Sequence, residues 1–265
     1  MATERLKTPM RRVQRQVAIR AARGYRTISH ATASTLAGIP PIELLADKFA
    51  YVFWRTREVQ AGGVIITARV RAAIRQEAAT ALLAKWREYL EDPRLSGRRV
   101  AEAVRPCLED WVSRRGRGVT FHMTQVLTGH SCFGEYLCQI GKEGTTLCHH
   151  CVEEMDSAQH TLVHCPTWAK ERRVLRSVVG RDLSLLAIVA AMVGGEEKWR
   201  AMAKYCNIVM AAKEEAERIR RGERPAPDQD ANANDGVFAR PRGLPPRWRR
   251  RGPRDPAPQQ LGDAG

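Results

Sequence analysis

The chain has 265 residues, of which 43% are hydrophobic, so it is long enough for one or two folded domains and too apolar to be disordered throughout. Forty-four Lys and Arg residues against 29 Asp and Glu residues give a net charge of +15, which favours a polyanionic partner, most often a phosphate backbone and otherwise an acidic membrane surface. Because the longest apolar run, at 183–193, is about half as long as a membrane-spanning helix and the N-terminus has no signal-peptide pattern, we expect an intracellular protein, nuclear or cytoplasmic, that is not secreted and has no membrane partner.

The first predicted element is a basic helix. Thr8 is a suitable N-cap and Pro9 a suitable first helical residue, and Gly24 ends the helix. Residues 1–30 contain eight Lys and Arg residues against one acid, Glu4. Such a stretch can be a solvated helix face or an organelle transit peptide, but its imbalance exceeds that of a salt-bridged surface. We therefore predict that it contacts nucleic acid, through Arg11, Arg12, Arg15, Arg20 and Arg23.

Helical segments continue through the first half of the chain. Ser29 is the predicted N-cap of a short helix that ends at Gly38, and a double glycine separates long helices predicted at 42–60 and 65–90. Tryptophans recur in these and the following helical segments, and we expect them to pack in the core rather than stack on bases. They are Trp54, Trp86 and Trp111.

The second half of the chain is also predicted to be helical. Short helices at 120–128 and 132–140 are each followed by glycine in the C-cap position, and another helix follows Pro166. Strand-like alternation is scarce, so the fold class is mainly α. Residues 222–265 are rich in Pro, Gly, Asp, Asn and Arg, which predicts a disordered basic tail.

The cysteines fall into two groups. Seven is an odd number and no export signal is present, so reduced thiols are expected. Four of them stand apart in apolar helical context and are predicted to pack in the core. These are Cys107, Cys132, Cys138 and Cys206.

The other three cysteines cluster with histidines in the pattern Cys148-x2-Cys151-x8-His160-x4-Cys165. Thiolate sulfur and imidazole nitrogen are the ligands that Zn²⁺ prefers, and four protein ligands leave no open position, which is typical of a structural site. Asp156 or Ser157 could cap the short helix expected between the last two ligands. The sequence therefore predicts a structural Zn²⁺ bound by Cys148, Cys151, His160 and Cys165.

Several alternatives accompany this assignment. His164 lies one helical turn after His160, so it rivals Cys165 as the fourth ligand. A DNA-reading finger with two cysteines and two histidines is disfavoured, because the second histidine that it requires falls on Trp168. A chance cluster of free thiols is the remaining alternative, and His149 and His150 are expected beside the metal or in solvent.

The residues around the ligands also suggest where nucleic acid would bind. The segment between the ligand pairs is acidic, with Glu153, Glu154 and Asp156. Basic residues resume in the helix after the last ligand. We therefore place a nucleic-acid contact on that helix, at Arg172 and Arg173.

No motif in the sequence supports a self-sufficient catalytic site. The chain has no adjacent pair of aspartates for a polymerase that uses two metal ions. It also lacks a phosphate-binding glycine loop followed by Lys-Ser/Thr and a Gly-x-Ser-x-Gly nucleophile motif. We expect that the chain is not an enzyme by itself.

Several segments, taken in order, resemble a known family. They are 11–15 and 23–27, the Leu-Ala-Gly-Ile-Pro-Pro segment at 36–41, the segment 121–130 that ends in Gly-His, the Phe-Gly-Glu-Tyr-Leu segment at 133–137, and the cysteine and histidine cluster with Cys165-Pro166-x-Trp168. Together they resemble the C-terminal part of the reverse transcriptase reading frame of non-LTR retrotransposons, especially the clade that inserts into ribosomal DNA.

The resemblance implies a domain order. Residues 1–62 would correspond to a helical polymerase thumb and 63–130 to a helical linker. Residues 131–221 would form the Cys-Cys-His-Cys zinc knuckle with its flanking helices, and 222–265 the tail. The polymerase palm and fingers and the endonuclease of that family have no counterpart here, so the chain is expected to be a fragment or a truncated copy.

The resemblance also implies a role in target-primed reverse transcription, in which element RNA is copied from a nick in chromosomal DNA. The chain would bind element RNA, target DNA or both, and could contact the upstream polymerase domains. The alternative is a catalytically inert structural or protein-interaction remnant of the transposon polymerase.

Overall fold

The computed structural model describes residues 4–114, 116–152 and 155–223. Eleven α-helices lie within these residues, and a long segment without α-helix separates Gln139 from Ala169. The only β pairing among the described residues is a single bridge between Leu147 and Met155. The predicted mainly α class is therefore confirmed. The helices are α1 (Glu4–Ala21), α2 (His30–Ala37), α3 (Ile42–Ala61), α4 (Ala68–Tyr89), α5 (Arg98–Val104), α6 (Leu108–Ser113), α7 (Phe121–Thr128), α8 (Gly134–Gln139), α9 (Ala169–Val179), α10 (Leu185–Val193) and α11 (Glu196–Arg220).

Local capping chemistry sets several helix ends. The Ser29 side chain accepts a hydrogen bond from the Thr32 N–H at the start of α2, and Gly38 ends this helix in the left-handed conformation, as predicted. Thr120 caps α7 in the same way. The start of α1 differs from the prediction, because the helix begins at Glu4 and Pro9 lies inside it. Since proline has no N–H, α1 has one hydrogen bond fewer in this part.

One hydrophobic core joins helices from most of the described chain. Trp86 of α4 and Trp111 of α6 are fully buried, and the Trp111 indole N–H donates to the Thr35 carbonyl of α2 at 2.7 Å. Trp54 is the exception to the predicted burial of the tryptophans, because 66% of it is exposed. The core prediction for Trp54 is wrong, since Trp54 lies on α3, none of whose residues is buried.

The C-terminal helices wrap this core next to the cysteine and histidine cluster. Helix α11 packs on α7, α9 and α10, with Trp199, Tyr205 and Lys213 among its buried residues. Cys132 and Cys206 are buried, whereas Cys107 and Cys138 are half-buried. The same core contains residues from before 62, from 63–130 and from 131–221; the division into thumb, linker and knuckle remains a prediction.

No helix of the described residues has both the length and the apolar character to cross a bilayer. The predicted tail lies almost entirely outside the described residues, as do Glu153 and Glu154.

Gly97, at the N-cap of α5, provides a test of the packing between α2 and α5. Its φ is +87°, and a Cβ added there would lie 1.8 Å from the Thr32 Oγ1. We expect Gly97→Ala to lower the free energy of unfolding by about 2–3 kcal/mol, about 1–2 of which come from the left-handed backbone alone and the rest from the clash. Urea denaturation measures the loss. Gly63→Ala is the matched control, because Gly63 has φ +79° but a Cβ added there would meet no atom of the described residues within 4 Å apart from its chain neighbours. Equal losses in the two variants would contradict the packing argument.

Candidate metal centre

The first two candidate ligands lie in one tight turn. The Leu147–Met155 bridge closes this loop, and the Asp156 N–H donates to the Thr146 carbonyl at 2.7 Å. Within the loop, the Val152 N–H donates to the Cys148 carbonyl at 2.7 Å. The chain therefore reverses direction between Cys148 and Cys151, which brings their side chains to one side of the turn.

The other two candidate ligands lie at the ends of a π-helical turn, His160–His164. The His160 N–H donates to the Ser157 Oγ at 2.9 Å, so Ser157 is the predicted cap that the structure uses. The Cys165 N–H donates to the His160 carbonyl at 2.8 Å. In an α-helix, residues five apart would point about 140° away from each other. The wider π turn instead aligns His160 and Cys165 on one face.

These two pieces of chain bring all four ligand atoms within 4.8 Å of one another. The Cys148 and Cys165 sulfurs are 3.9 Å apart, and the Cys151 sulfur is 3.4 Å from the His160 Nε2. A tetrahedron with ordinary Zn–S and Zn–N bonds requires about 3.8 Å between sulfurs and about 3.5 Å between sulfur and nitrogen. The four residues therefore fit Zn²⁺, and a metal ion held by all four would have no open position for a substrate.

Burial separates the ligands from the neighbouring histidines. Cys148 and Cys165 are fully buried and His160 nearly so, whereas His164, the rival of Cys165, is exposed. His149 is exposed and lies 3.7 Å from the Glu143 carboxylate. His150 packs against Trp168, with ring centroids 5.0 Å apart.

The buried environment disfavours free thiolates. Burial raises the pKa of the Cys148 thiol to about 12, because a charged sulfur loses its hydration there. A bound Zn²⁺ would supply the opposite charge that keeps such a sulfur ionised. The four donor atoms lie within 4.8 Å of one another, and this arrangement, rather than the pKa, favours a metal over a cluster of free thiols.

A buried ion pair ties the metal loop to α11. The Lys213 ammonium lies 2.7 and 2.9 Å from the two carboxylate oxygens of Asp156, and the two side chains are 1% and 3% exposed. The Asp156 carboxylate also accepts a hydrogen bond from the Gly134 N–H at 3.1 Å. Asp156 lies between Cys151 and His160 in the chain, so this pair connects the ligand loop to both α8 and α11.

Arg172 is also part of the support for the ligands, a role that the sequence analysis did not predict. Only 6% of it is exposed, and its guanidinium donates to the Leu162 carbonyl at 3.1 Å and to the Cys165 carbonyl. These bonds use donors of Arg172 inside the protein and so disfavour the predicted contact with nucleic acid, which stays a prediction. Arg173, the next residue, is exposed.

The arginines of the predicted basic helix fall into two groups, those bonded within the protein and those exposed to solvent. Arg11 forms an ion pair with Glu43, and Arg15 donates to the carbonyls of Arg26 and Ile28. Both side chains hold α1 against the rest of the protein. The other predicted residues, Arg12, Arg20 and Arg23, are exposed. Arg5, which we did not select from the sequence, is exposed too, and its spacing of seven residues from Arg12 places both on one helix face.

The segments that carry the family resemblance meet in the structure. The His130 ring stacks on Tyr136 with centroids 4.6 Å apart, and the Tyr136 hydroxyl donates to the Thr27 Oγ1 at 3.0 Å. The Gln125 amide donates to the Tyr25 hydroxyl at 2.8 Å. These contacts dock the turn after α1 onto α7 and α8, which gives the segments at 23–27 and 121–137 a shared structural role.

No family model matches the chain, and no solved structure does. Among curated proteins, the chain is similar to the Retrovirus-related Pol polyprotein from type-1 retrotransposable element R1 4 of Nasonia vitripennis, with 26% identity over 214 residues. The match covers 77% of this chain and 53% of that protein, so the chain spans about half the length of the relative. The chain is thus distantly similar in sequence to an R1-type retrotransposon Pol polyprotein, and its fold brings a Cys-Cys-His-Cys cluster together.

Proposed function

We propose that the chain is a nucleic-acid-binding, zinc-stabilised region of a retrotransposon reverse transcriptase polyprotein, corresponding to the thumb, linker and C-terminal zinc knuckle. In this role it positions element RNA or target DNA during target-primed reverse transcription, inside the cell. The observation that carries the proposal is the buried Cys-Cys-His-Cys cluster in a chain similar to an R1-type Pol polyprotein. The bound metal is Zn²⁺ with a structural role.

The exposed arginines of α1 and of the turn that follows it support nucleic acid as the partner. Among the described residues, no acidic side chain pairs with Arg12, Arg20 or Arg23. Their charges are therefore not neutralised within the protein. A phosphate backbone offers closely spaced negative charges to such a surface, and the release of its counterions adds to the binding free energy.

We expect the triple variant Arg12→Gln, Arg20→Gln, Arg23→Gln to bind RNA and duplex DNA more weakly and with less salt dependence. If each arginine contacts one phosphate, the slope of log K against log salt should fall by about 2 for single strands and about 2.7 for duplex DNA. Fluorescence anisotropy with labelled oligonucleotides at several salt concentrations measures both quantities. The matched control replaces three other arginines with glutamine, each of which pairs with an acidic residue on the surface. These are Arg94, Arg98 and Arg200. Equal effects of the two triple variants would contradict a specific role of Arg12, Arg20 and Arg23.

We also propose that the chain has no polymerase activity by itself. It lacks the paired aspartates that two-metal polymerases use. A primer-extension assay with an intact RNA template tests this directly, and extension by the purified chain would overturn it.

A second candidate function, a protein-interaction region, is favoured by a different face of α1. Met10, Val13 and Val17 are exposed and, with Ile42, line an apolar groove of about 420 Å³. The upstream polymerase domains are the proposed partner for this face. Under this alternative, the triple arginine variant leaves nucleic-acid binding unchanged, whereas Val13→Asp abolishes association with a separately produced polymerase domain.

A further inference from the structure

Helices α3 and α4 form an antiparallel pair that extends beyond the core. The Lys85 ammonium of α4 lies 3.0 Å from the Asp47 carboxylate of α3, and the Tyr51 hydroxyl donates to Glu77 at 3.0 Å. None of the residues of α3 is buried. Residues 50–77, the end of this pair that contains the connecting turn, are called the hairpin tip below.

The hairpin tip exposes aromatic side chains that a helix normally buries. Trp54 is 66% exposed and Phe53 51%, and the two rings contact each other edge to face at 5.0 Å between centroids. Trp54 lines an open groove of about 650 Å³ with Tyr51, Arg55 and Arg57. Large aromatic side chains left in water at one place mark an interaction surface.

The charge of the hairpin tip is strongly positive. Residues 50–77 contain five arginines and two glutamates, and both glutamates are already engaged, Glu58 with Arg55 and Glu77 with Tyr51. Within the described residues no acid pairs with the other four arginines. These are Arg57, Arg69, Arg71 and Arg75.

This combination fits a single nucleic-acid strand better than a protein or a duplex. An apolar partner helix would leave unpaired arginines next to its contact, at a cost in desolvation. In a duplex the base faces are already stacked on each other. An unpaired strand presents base faces that stack on aromatic rings and, at the same time, phosphates that attract arginine.

We propose that the hairpin tip binds single-stranded nucleic acid, with a base stacked on Trp54 and the backbone phosphates held by the unpaired arginines of the tip. This inference rests on the proposed function, since it names a second nucleic-acid surface besides that of α1. It assigns unpaired strands to the hairpin tip, and the α1 arginines are left to contact phosphates of either single or double strands.

The test compares binding of the full-length chain to single strands of about 12 nucleotides, as DNA and as RNA, with binding to a duplex of the same sequence. We expect Trp54→Ala to weaken single-strand binding at least about fivefold, because one stacked base is lost, and to leave duplex binding unchanged. Trp54→Phe should restore most of the affinity. The matched control is Ile65→Ala, since Ile65 is 82% exposed on the same tip but not aromatic. Thermal unfolding of each variant checks that the fold is intact.

The outcomes separate this inference from the proposed function. If Trp54→Ala binds single strands as well as the wild-type chain while the α1 variant is weakened, the stacking site is wrong and the proposed function stands. A loss that is equal for single strands and duplex, or a Trp54→Phe variant as weak as Trp54→Ala, also overturns the stacking site. A wild-type chain that binds neither single strands nor duplex overturns both.

Discussion

Replacing Cys148 and Cys151 together with serine should abolish stoichiometric zinc and unfold the region that surrounds the metal loop. Serine cannot replace a thiolate as a zinc ligand, so only His160 and Cys165 would remain. Metal binding and folding are coupled in such sites, where zinc binding supplies about 10–16 kcal/mol in isolated finger peptides. With free zinc at about 1,000 times its dissociation constant, linkage alone adds about 4 kcal/mol to the free energy of unfolding.

Two measurements check this prediction. Elemental analysis of the purified chain should give one zinc per wild-type molecule and none for the double variant. Thermal unfolding should show a lower midpoint for the double variant, equal to that of the wild-type chain stripped with a chelator. Cys107→Ser is the control for cysteine removal as such, because Cys107 is a half-buried free cysteine outside the cluster.

Single variants assign the fourth ligand. His164→Ala should keep its zinc, because the His164 side chain is exposed, whereas Cys165→Ser should bind zinc more weakly, because the Cys165 sulfur lies 3.9 Å from that of Cys148. A double cysteine variant that retains one equivalent of zinc would refute the site. If instead Cys165→Ser keeps its zinc and His164→Ala binds zinc more weakly, only the choice of Cys165 as the fourth ligand would be refuted.

The cysteine and histidine cluster was predictable because its signal is local in sequence. The two-residue spacing of Cys148 and Cys151 defines a turn by itself, and Ser157 is a recognisable cap. The π turn was not predictable, since no residue type in 160–164 favours five-residue over four-residue hydrogen bonding. That turn nevertheless explains why Cys165, and not His164, joins His160 in the cluster.

The fold class and several helix ends were predictable for the same reason. Ser29 begins α2 through a side-chain hydrogen bond and Gly38 ends it through its left-handed backbone, and both effects involve only residues within one helical turn. Burial depends instead on which distant helices meet. Trp54 and Trp86 both lie in long predicted helices, yet only Trp86 is buried. The reason is that α4 contributes Leu82 and Trp86 to the core, whereas no residue of α3 is buried. Arg172 lies in a charged stretch typical of a protein surface, but in the fold its guanidinium donates to two backbone carbonyls.

The buried pair of Lys213 and Asp156 was likewise not predictable, since 57 residues separate its members. We expect Lys213→Met to lower the free energy of unfolding by about 3–5 kcal/mol, because it leaves the Asp156 carboxylate buried without a counter-charge. The methionine side chain has a similar volume, so the loss of charge rather than a cavity dominates. Urea denaturation in the presence of excess zinc measures the change with the metal site kept saturated.

A double-mutant cycle separates the pair from its surroundings. In the double variant Lys213→Met, Asp156→Asn, the neutral amide can still accept the Gly134 N–H, and no unpaired charge remains. We therefore expect it to be more stable than Lys213→Met alone, with a coupling energy of about 1–3 kcal/mol. Arg200→Met is the surface control, because Arg200 and Glu196 form an exposed pair on the same helix, and this variant should not measurably change the unfolding midpoint.

We expect the same pair to matter for the metal. Asp156 holds the chain between Cys151 and His160 against α8 and α11, so Lys213→Met should also weaken zinc binding although Lys213 is not a ligand. Competition with a chromophoric chelator measures this affinity. If Lys213→Met lowers stability but leaves zinc affinity unchanged, the pair stabilises only the packing of α11. A loss of affinity that Asp156→Asn partly reverses would instead show that the ion pair positions the metal ligands.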